Sequence, residues 1–174
     1  MKLIAHPDHP PRSVTGVDVS LQRNGDRLHL DYVVTGAGAL VLPAPAKPAR
    51  TDGLWQHSCF ELFARPGSGV SYDEFNFAPS GAWAAYRFEA YRAGMSDLPV
   101  AAPGIEGARD GDRYVQRVRV EVPGLMPGWR IGLSAVIEEA EGVKSYWALA
   151  HPAGRPDFHH EDCFALELPA PERA

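Results

Sequence analysis

The chain lacks the features that mark nucleic-acid-binding, membrane and secreted proteins. It has 17 lysines and arginines against 22 aspartates and glutamates, a formal net charge of −5, so the basic surface of a nucleic-acid binder is missing. No apolar run approaches the length of a membrane span. The apolar stretch near the start is too short for a signal peptide, and prolines follow it at once. We therefore expect a cytoplasmic protein with no nucleic-acid or membrane partner.

Cysteine is also scarce, since only Cys59 and Cys163 occur among the 174 residues. Thiols stay reduced in the cytoplasm, so we expect two free thiols rather than a disulfide bridge. Apolar residues make up 45% of the chain, an ordinary value for a globular protein. The length fits one domain, and no second composition regime, repeat or linker interrupts it, so we expect a single domain over residues 1–174.

A sustained helical period is missing as well, because 17 glycines and 16 prolines interrupt the chain. Residues 15–21 and 28–34 instead alternate between apolar and polar side chains, and Asn24-Gly25-Asp26 between them predicts a hairpin turn. The longest predicted loop is 97–112, and a short helical turn is predicted around 91–95. Further strands are predicted at 40–42, 55–64, 71–77, 83–91, 113–122, 129–138, 145–150 and 163–168. Many short strands with turns between them indicate an all-β sandwich or barrel.

Strand parity divides the side chains of these strands into two faces. In residues 55–64, one face carries Phe60, Leu62 and Ala64 and predicts core. The opposite face carries Trp55, His57, Cys59 and Glu61, a set too polar for a core and too aromatic for an ordinary solvent face. Tyr72, Glu74 and Asn76 repeat this pattern on the next strand, opposite Phe75 and Phe77.

Two later strands extend the same interpretation. Trp83, Ala85, Arg87 and Glu89 share a face, opposite Tyr86 and Phe88. Trp147, Leu149 and His151 share another, opposite Tyr146, Ala148 and Ala150. A sugar ring suits such a surface, because its C–H face packs on an indole and its hydroxyls bond to Glu, Arg and Asn. Each tryptophan alone also fits a core position, so the interpretation depends on the co-location of the set.

Four segments carry a resemblance to a known family: 54–63 (with Trp-Gln-His-Ser-Cys-Phe-Glu), 72–88, 131–139 and 144–164. They resemble the DOMON-like proteins, a bacterial group related to family 9 carbohydrate-binding modules. The resemblance spans about residues 10–168 and implies a jelly-roll or immunoglobulin-like β-sandwich of about ten antiparallel strands. Related modules hold sugars between two tryptophans with help from Glu, Arg and Asn.

The resemblance assigns roles residue by residue. Trp55 and Glu61 match the first sandwiching tryptophan and its carboxylate, Trp147 the second tryptophan, and Arg87 the sugar-binding arginine. The chain departs from the family pattern in two ways. Ser58 or Cys59 stands in place of an aspartate, and the modules are secreted parts of larger enzymes, whereas we expect this chain to be cytoplasmic.

We therefore predict a non-catalytic domain that binds a small carbohydrate or a sugar-containing metabolite and needs no cofactor. The predicted ligand-binding residues are Trp55, His57, Glu61, Tyr72, Asn76, Arg87, Trp147 and His151. The loop at 152–160 follows Trp147 and has two interpretations. Its Gly, Pro and Asp residues either build a rigid loop with no further role, or the loop forms one end of the predicted pocket.

Three other functions stay open at this point. A Cys/His zinc site would use His57 and Cys59 with the later group His151, His159, His160 and Cys163, although their spacing matches no known zinc motif. An enzyme acting on a small carbohydrate-like substrate would draw acid–base pairs from His57, Glu61, Glu74, Asp157 and His159, although no catalytic motif appears. Haem would need Met95, His57 or His151 as axial ligands, and no Cys-x-x-Cys-His motif is present.

Overall fold

The computed structural model describes residues 1–67 and 69–168. In this part of the chain there is no α-helix, and no helix has the length and apolar character needed to cross a membrane. Short 3-10 turns occur at Ala37–Ala39, Leu54–Gln56, Ala140–Gly142 and Glu161–Cys163. The strands are β1 Lys2–Ala5, β2 Gly16–Asn24, β3 Arg27–Thr35, β4 Cys59–Arg65, β5 Tyr72–Phe77, β6 Trp83–Phe88, β7 Ser96–Asp97, β8 Gly104–Asp110, β9 Arg113–Glu121, β10 Arg130–Glu139, β11 Val143–Ala148 and β12 Leu166–Glu167.

The strands form one curled antiparallel sheet. Its order is β7-β6-β5-β4-β10-β11-β1-β2-β3-β9-β8, and β12 pairs with β10 beside this path. Strand β1 joins the two halves because it pairs with β11 on one side and with β2 on the other. We call β4, β5, β6, β10 and β11 the site half, and β2, β3, β8 and β9 the far half.

The two halves share one apolar core. Tyr32 on β3 packs on Phe60 of β4 with ring centroids 5.0 Å apart, and Phe60 stacks on Tyr114 of β9 at 6.2 Å. The Tyr32 hydroxyl donates a 2.7 Å hydrogen bond to the backbone carbonyl of Glu61. This packing gives the all-β, sandwich-like arrangement that the alternating strands predict, and it leaves the other face of the site half free of the core.

The predicted hairpin at residues 15–34 is confirmed. Strands β2 and β3 pair in an antiparallel register that ends at Asn24 opposite Arg27. Gly25 in the turn has φ = 65°, a left-handed conformation that glycine adopts at little cost. The turn signal therefore fixes both the pairing and its register.

Three predictions of local structure are corrected. The expected loop at 97–112 contains β8, which forms a polar and mostly exposed edge strand and so shows no apolar alternation. The strand expected from Trp55 begins only at Cys59, because Gly53 adopts φ = 73° and starts a 3-10 turn. The predicted strand at 40–42 is reduced to a single bridge between Leu40 and Glu139.

Candidate functional site

A cavity of about 730 Å³ lies against the face of the site half that points away from the core. Its volume falls within the about 300–1,000 Å³ that small-molecule pockets usually have. The floor is formed by strand residues Glu61, Phe63, Glu74, Tyr86, Phe88, Val136 and Tyr146. The walls come from connecting segments and consist of His9, Asp52, Gly53, Trp55, Arg92, Met95, Arg155, Pro156, Phe158 and His159.

Small side chains next to Glu61 explain the room above the sheet. Glu61 stands opposite Asn76 on β5 and opposite Ser134 on β10. The same row continues to Ala84 on β6 and Ala148 on β11. Because every neighbour in this row is short, a ligand can approach the Glu61 carboxylate from above.

Gly132 brings the 161–164 turn against the same face of the sheet. A side chain at Gly132 would come within 3.1 Å of the backbone oxygen of Cys163 and 3.3 Å of Cβ of Phe63. Phe164 from this turn packs edge-on against Phe63, with ring centroids 6.0 Å apart. The glycine therefore allows the chain segment that follows the 152–160 loop to lie close to the floor.

Glu61 is a buried carboxylate with one hydrogen bond. Its side chain accepts a 3.0 Å bond from the Ser134 hydroxyl through Oε2, while Oε1 has no hydrogen-bond partner among the described residues. Burial, and secondly the charge of Glu74, raise the pKa of Glu61 to about 8. The residue is thus mostly protonated at neutral pH and can donate as well as accept a hydrogen bond.

Glu61 on β4 pairs with Asn76 on the neighbouring strand β5. Glu74 lies two residues before Asn76, on the same face of β5 and diagonally across from Glu61. Its Oε1 accepts a 2.7 Å hydrogen bond from the Asn76 amide, and its Oε2 lies 3.7 Å from Nε2 of His159. Burial raises the pKa of Glu74. Burial and then Arg92 lower the pKa of His159 to about 4, so at neutral pH the imidazole is neutral and makes no ion pair with Glu74.

Trp55 forms the open rim of the cavity. The side chain lies on the 3-10 turn at Leu54–Gln56 and is 57% exposed, although indole is one of the largest apolar groups. The preceding loop is tied to the floor because the Tyr86 hydroxyl donates a 2.6 Å hydrogen bond to Asp52. An exposed tryptophan on an anchored loop can stack on a ligand without a large loss of conformational entropy.

A second wall is held by a clamp between the turn after β6 and the 152–160 loop. The Arg92 guanidinium donates to Asp157 at 2.7 Å, and Tyr91 donates to the same carboxylate. The Arg92 backbone N–H donates to the Tyr72 hydroxyl at 3.2 Å, and this hydroxyl also bonds Nδ1 of His159 at 2.7 Å. The sequence predicted a short helical turn here, whereas the segment is a tight turn with Arg92 at φ = 53°.

The structure brings four of the eight predicted site residues to the cavity or directly behind it. Trp55 and Glu61 line it. Tyr72 lies behind His159, and Asn76 lies behind Glu74, where each orients the lining residue through a hydrogen bond.

Trp147 and Arg87 lie on the opposite face of the sheet from the cavity. Trp147 is 4% exposed, packs in the shared core and donates from Nε1 to the Ser145 hydroxyl at 2.9 Å. The expected pair of stacking tryptophans is therefore not formed. Arg87 makes a bidentate ion pair with Asp73 at 2.8 and 2.9 Å. In both strands the neighbouring residue of opposite parity, Tyr146 or Tyr86, faces the cavity instead.

The two predicted histidines also lie outside the cavity lining. His57 is exposed and lies 2.8 Å from Glu138. His151 bonds the backbone oxygen of Ile4 at 2.8 Å through Nε2 and packs edge-on against His6, with ring centroids 4.9 Å apart. His151 lies beside the lining residue Phe158, with ring centroids 6.2 Å apart.

The Cys/His zinc site that stayed open as an alternative does not assemble from the described residues. Among residues 1–67 and 69–168, no three His, Cys, Asp or Glu side chains have the arrangement to hold a metal ion. Cys59 and Cys163 are buried free thiols. Cys59 contacts the side-chain amide oxygen of Asn76 at 3.6 Å, whereas Cys163 contacts the backbone oxygen of Ala150 at 3.1 Å.

Sequence reasoning missed the cavity residues Asp52, Tyr86, Arg92 and Tyr146 as candidates. The tyrosines had a usable signal, since Tyr86-x-Phe88 presents two aromatic residues on one face of its strand. Asp52 and Arg92 had none, because each lies in a turn whose path depends on distant partners. The 152–160 loop, for which a wall was one of two interpretations, contributes Arg155, Pro156, Phe158 and His159 to the lining.

Comparisons with known proteins show the fold but no family. No family model matches the chain, and no curated protein matches it. The chain is similar to a crystal structure from Bacteroides uniformis of a protein proposed to bind carbohydrate. The TM-score is 0.65 with 14% sequence identity, and the match covers 91% of this chain and 79% of that one. At this identity the likeness is one of fold.

Proposed function

We propose that this chain is a non-catalytic binding domain for a small carbohydrate, which occupies the cavity on the site half. One observation carries the proposal: an anchored, 57% exposed tryptophan lies over a cavity whose floor holds two buried carboxylates. Trp55 would stack on the C–H face of the sugar, and Glu61 and Glu74 would bond its hydroxyls. Tyr86 and Tyr146 would complete the aromatic lining in place of Trp147.

We further propose that the fold is the jelly-roll-like sandwich of the DOMON-like proteins and the family 9 modules, in a single domain of a cytoplasmic protein. The shared core of the two sheet halves and the similarity to the Bacteroides protein support this fold. The cavity in this chain would then use one tryptophan and several tyrosines where the family uses two tryptophans. Cell fractionation of the native host tests the cytoplasmic location.

A thermal-shift screen against mono-, di- and nucleotide sugars tests the function. A ligand that binds only the native state raises the melting temperature, by a margin that grows with its concentration over Kd. We expect at least one saccharide to raise the melting temperature of the wild type and not of Trp55→Ala. The proposal is overturned if no saccharide does so, or if Trp55→Ala responds as the wild type does.

An enzyme acting on the same small saccharide is the second candidate. The observation that favours it is the position of Glu61, a carboxyl group protonated near neutral pH beside a second carboxylate in one cavity. Such a pair can supply a general acid and its partner. Turnover of the bound saccharide that is lost in Glu61→Gln would establish the enzyme, and unchanged saccharide after prolonged incubation would exclude this role for Glu61.

A further inference from the structure

We propose that the preferred ligand is an amino sugar, whose ammonium group is held by Glu61 and Glu74 at the floor of the cavity. The inference rests on the proposed function, since it names the class of saccharide for the same site. It follows from three properties of the cavity: unused carboxylate oxygens, no cation of the described residues in direct contact with them, and an aromatic enclosure.

The two carboxylates offer unused acceptors toward the ligand. Both side chains line the cavity while being almost fully buried, with exposures of 2% for Glu61 and 6% for Glu74. Each has one oxygen engaged, with Ser134 and with Asn76 respectively. Glu61 Oε1 and Glu74 Oε2 accept no hydrogen bond from the described residues. These two oxygens are therefore acceptors that a ligand in the cavity can use.

No cation of the described residues makes a direct ion pair with the two carboxyl groups at the floor. Neither carboxylate forms an ion pair with a lysine or arginine of the described residues. Arg92 lines the cavity and its charge acts on both Glu61 and Glu74, while its guanidinium is bound to Asp157 at 2.7 Å. Arg155 also lines the cavity and is exposed, which suits a position at the rim. Two adjacent buried carboxyl groups therefore face the ligand with a guanidinium nearby but with no cation in direct contact.

An ammonium group matches this arrangement better than a hydroxyl does. It carries three N–H donors, so it can serve both free oxygens at once. Its charge compensates the two carboxylates, which ordinarily cannot both ionise when close together. The rings of Trp55, Tyr86, Tyr146 and Phe158 line the same cavity, and aromatic faces attract a nearby cation.

Calorimetric titration of the wild type with matched saccharides tests the inference. The probes are glucosamine, galactosamine and mannosamine, each compared with its parent hexose and its N-acetyl derivative at a pH where the amine is protonated. Each trio differs only in the substituent at C2, which is a hydroxyl, an ammonium or an acetamido group, so the ammonium is the one charged member. We expect one amino sugar to bind at least about tenfold more tightly than both of its neutral counterparts, equal to about 1.4 kcal/mol.

The double variant Glu61→Gln/Glu74→Gln should lose the preference, with the amino and parent sugars binding within about twofold of each other. Glu121→Gln, on an exposed position of β9, is the matched control and should keep the wild-type ratio. If the double variant does not fold, the ratio measured on the wild type decides alone. A parent hexose that binds as tightly as its amino form overturns this inference and leaves the proposed function standing. Absence of binding by every saccharide overturns both.

Discussion

Tyr146 and Trp147 are neighbours in the chain, and their side chains lie on opposite sides of the sheet. Tyr146 lines the cavity and packs edge-on against His9, with ring centroids 5.0 Å apart. Trp147 is buried in the core shared by the two sheet halves. The alternation of β11 enforces this separation, so only one of the two aromatic residues can serve a ligand. The contrast between them leads directly to the first two predictions.

Trp55→Ala should weaken saccharide binding by at least about tenfold while leaving stability nearly unchanged. The indole is 57% exposed, so its removal opens no core cavity. It would, however, remove the stacking surface at the rim, and such aromatic contacts dominate the energetics of many binding sites. Calorimetric titration gives the affinity, and urea unfolding gives the stability. A large loss of stability with unchanged affinity would assign Trp55 to the fold instead.

Trp147→Ala should have the reverse effect. Truncation of a buried tryptophan typically costs about 3–5 kcal/mol in the free energy of unfolding. Because Trp147 does not reach the cavity, affinity measured at a temperature where the variant is folded should match the wild type. Trp147→Phe, which keeps most of the ring volume, is the milder control. A selective loss of affinity in Trp147→Phe would restore the second stacking tryptophan that the family resemblance implies.

These two residues also show how far the sequence alone leads. Alternation and turn signals predict the all-β fold, the hairpin at residues 15–34 and the ligand-facing parity of Glu61, Glu74 and Asn76. They do not decide which face of β6 and β11 points outward, because both faces carry aromatic residues. Which face points outward depends on how the sheet curls and on where the far half packs. Both are properties of the whole chain.

The rest of the site was beyond a sequence-based prediction for a different reason. Arg92 reaches the cavity only because its left-handed backbone and its bonds to Asp157 and Tyr72 hold the turn in place. Those partners are 65 and 20 residues away in the chain. No local pattern encodes such a contact. Strand β8 was missed because its exposed edge position demands no apolar alternation.

Arg92→Ala should weaken ligand binding by about fivefold, because the clamp to Asp157 would be lost and the cavity wall would loosen. The guanidinium is half-exposed, so the ion pair contributes only about 1 kcal/mol. Arg87→Lys is the matched control, because it keeps a cation beside Asp73 on the face that points away from the cavity. Equal losses of affinity in the two variants would contradict the assignment of Arg92 to the wall.

The buried carboxylates should make stability fall as the pH rises from 6.5 to 8. The pKa of Glu61 is raised to about 8 from 4.5, so in this range the native state binds more protons than the unfolded state. The pKa of Glu74 is also raised by burial, so its contribution has the same sign above its ordinary pKa. The pKa of His159 is lowered to about 4 from 6.5. This histidine therefore makes stability rise with pH only between about 4 and 6.5, and it does not oppose the carboxyl groups above pH 6.5.

Thermal unfolding of Glu61→Gln over the same pH range checks this prediction. The slope for one group approaches about 1.4 kcal/mol per pH unit, and the variant should show a clearly flatter profile than the wild type. Exposed Glu121→Gln should keep the wild-type profile. Parallel profiles for Glu61→Gln and the wild type would contradict the raised pKa of Glu61. They would mean that solvent reaches this carboxyl group at the floor of the cavity.

Gly132→Ala should destabilise the protein by about 1–3 kcal/mol. The added Cβ would meet the Cys163 backbone oxygen at 3.1 Å and Phe63 at 3.3 Å, which forces the 161–164 turn away from the floor. Gly16→Ala on β2 is the control, since nothing lies within 4 Å of its Cβ position. Urea unfolding measures both variants. Equal stability would show that the turn is free to move.

A crystal structure of the complex with the most stabilising saccharide would locate the ligand. We expect a sugar inside the cavity on the site half, with its ring against Trp55 and a polar group within hydrogen-bond distance of Glu61 or Glu74. A saccharide bound elsewhere on the surface, with this cavity containing only water, would contradict this expectation.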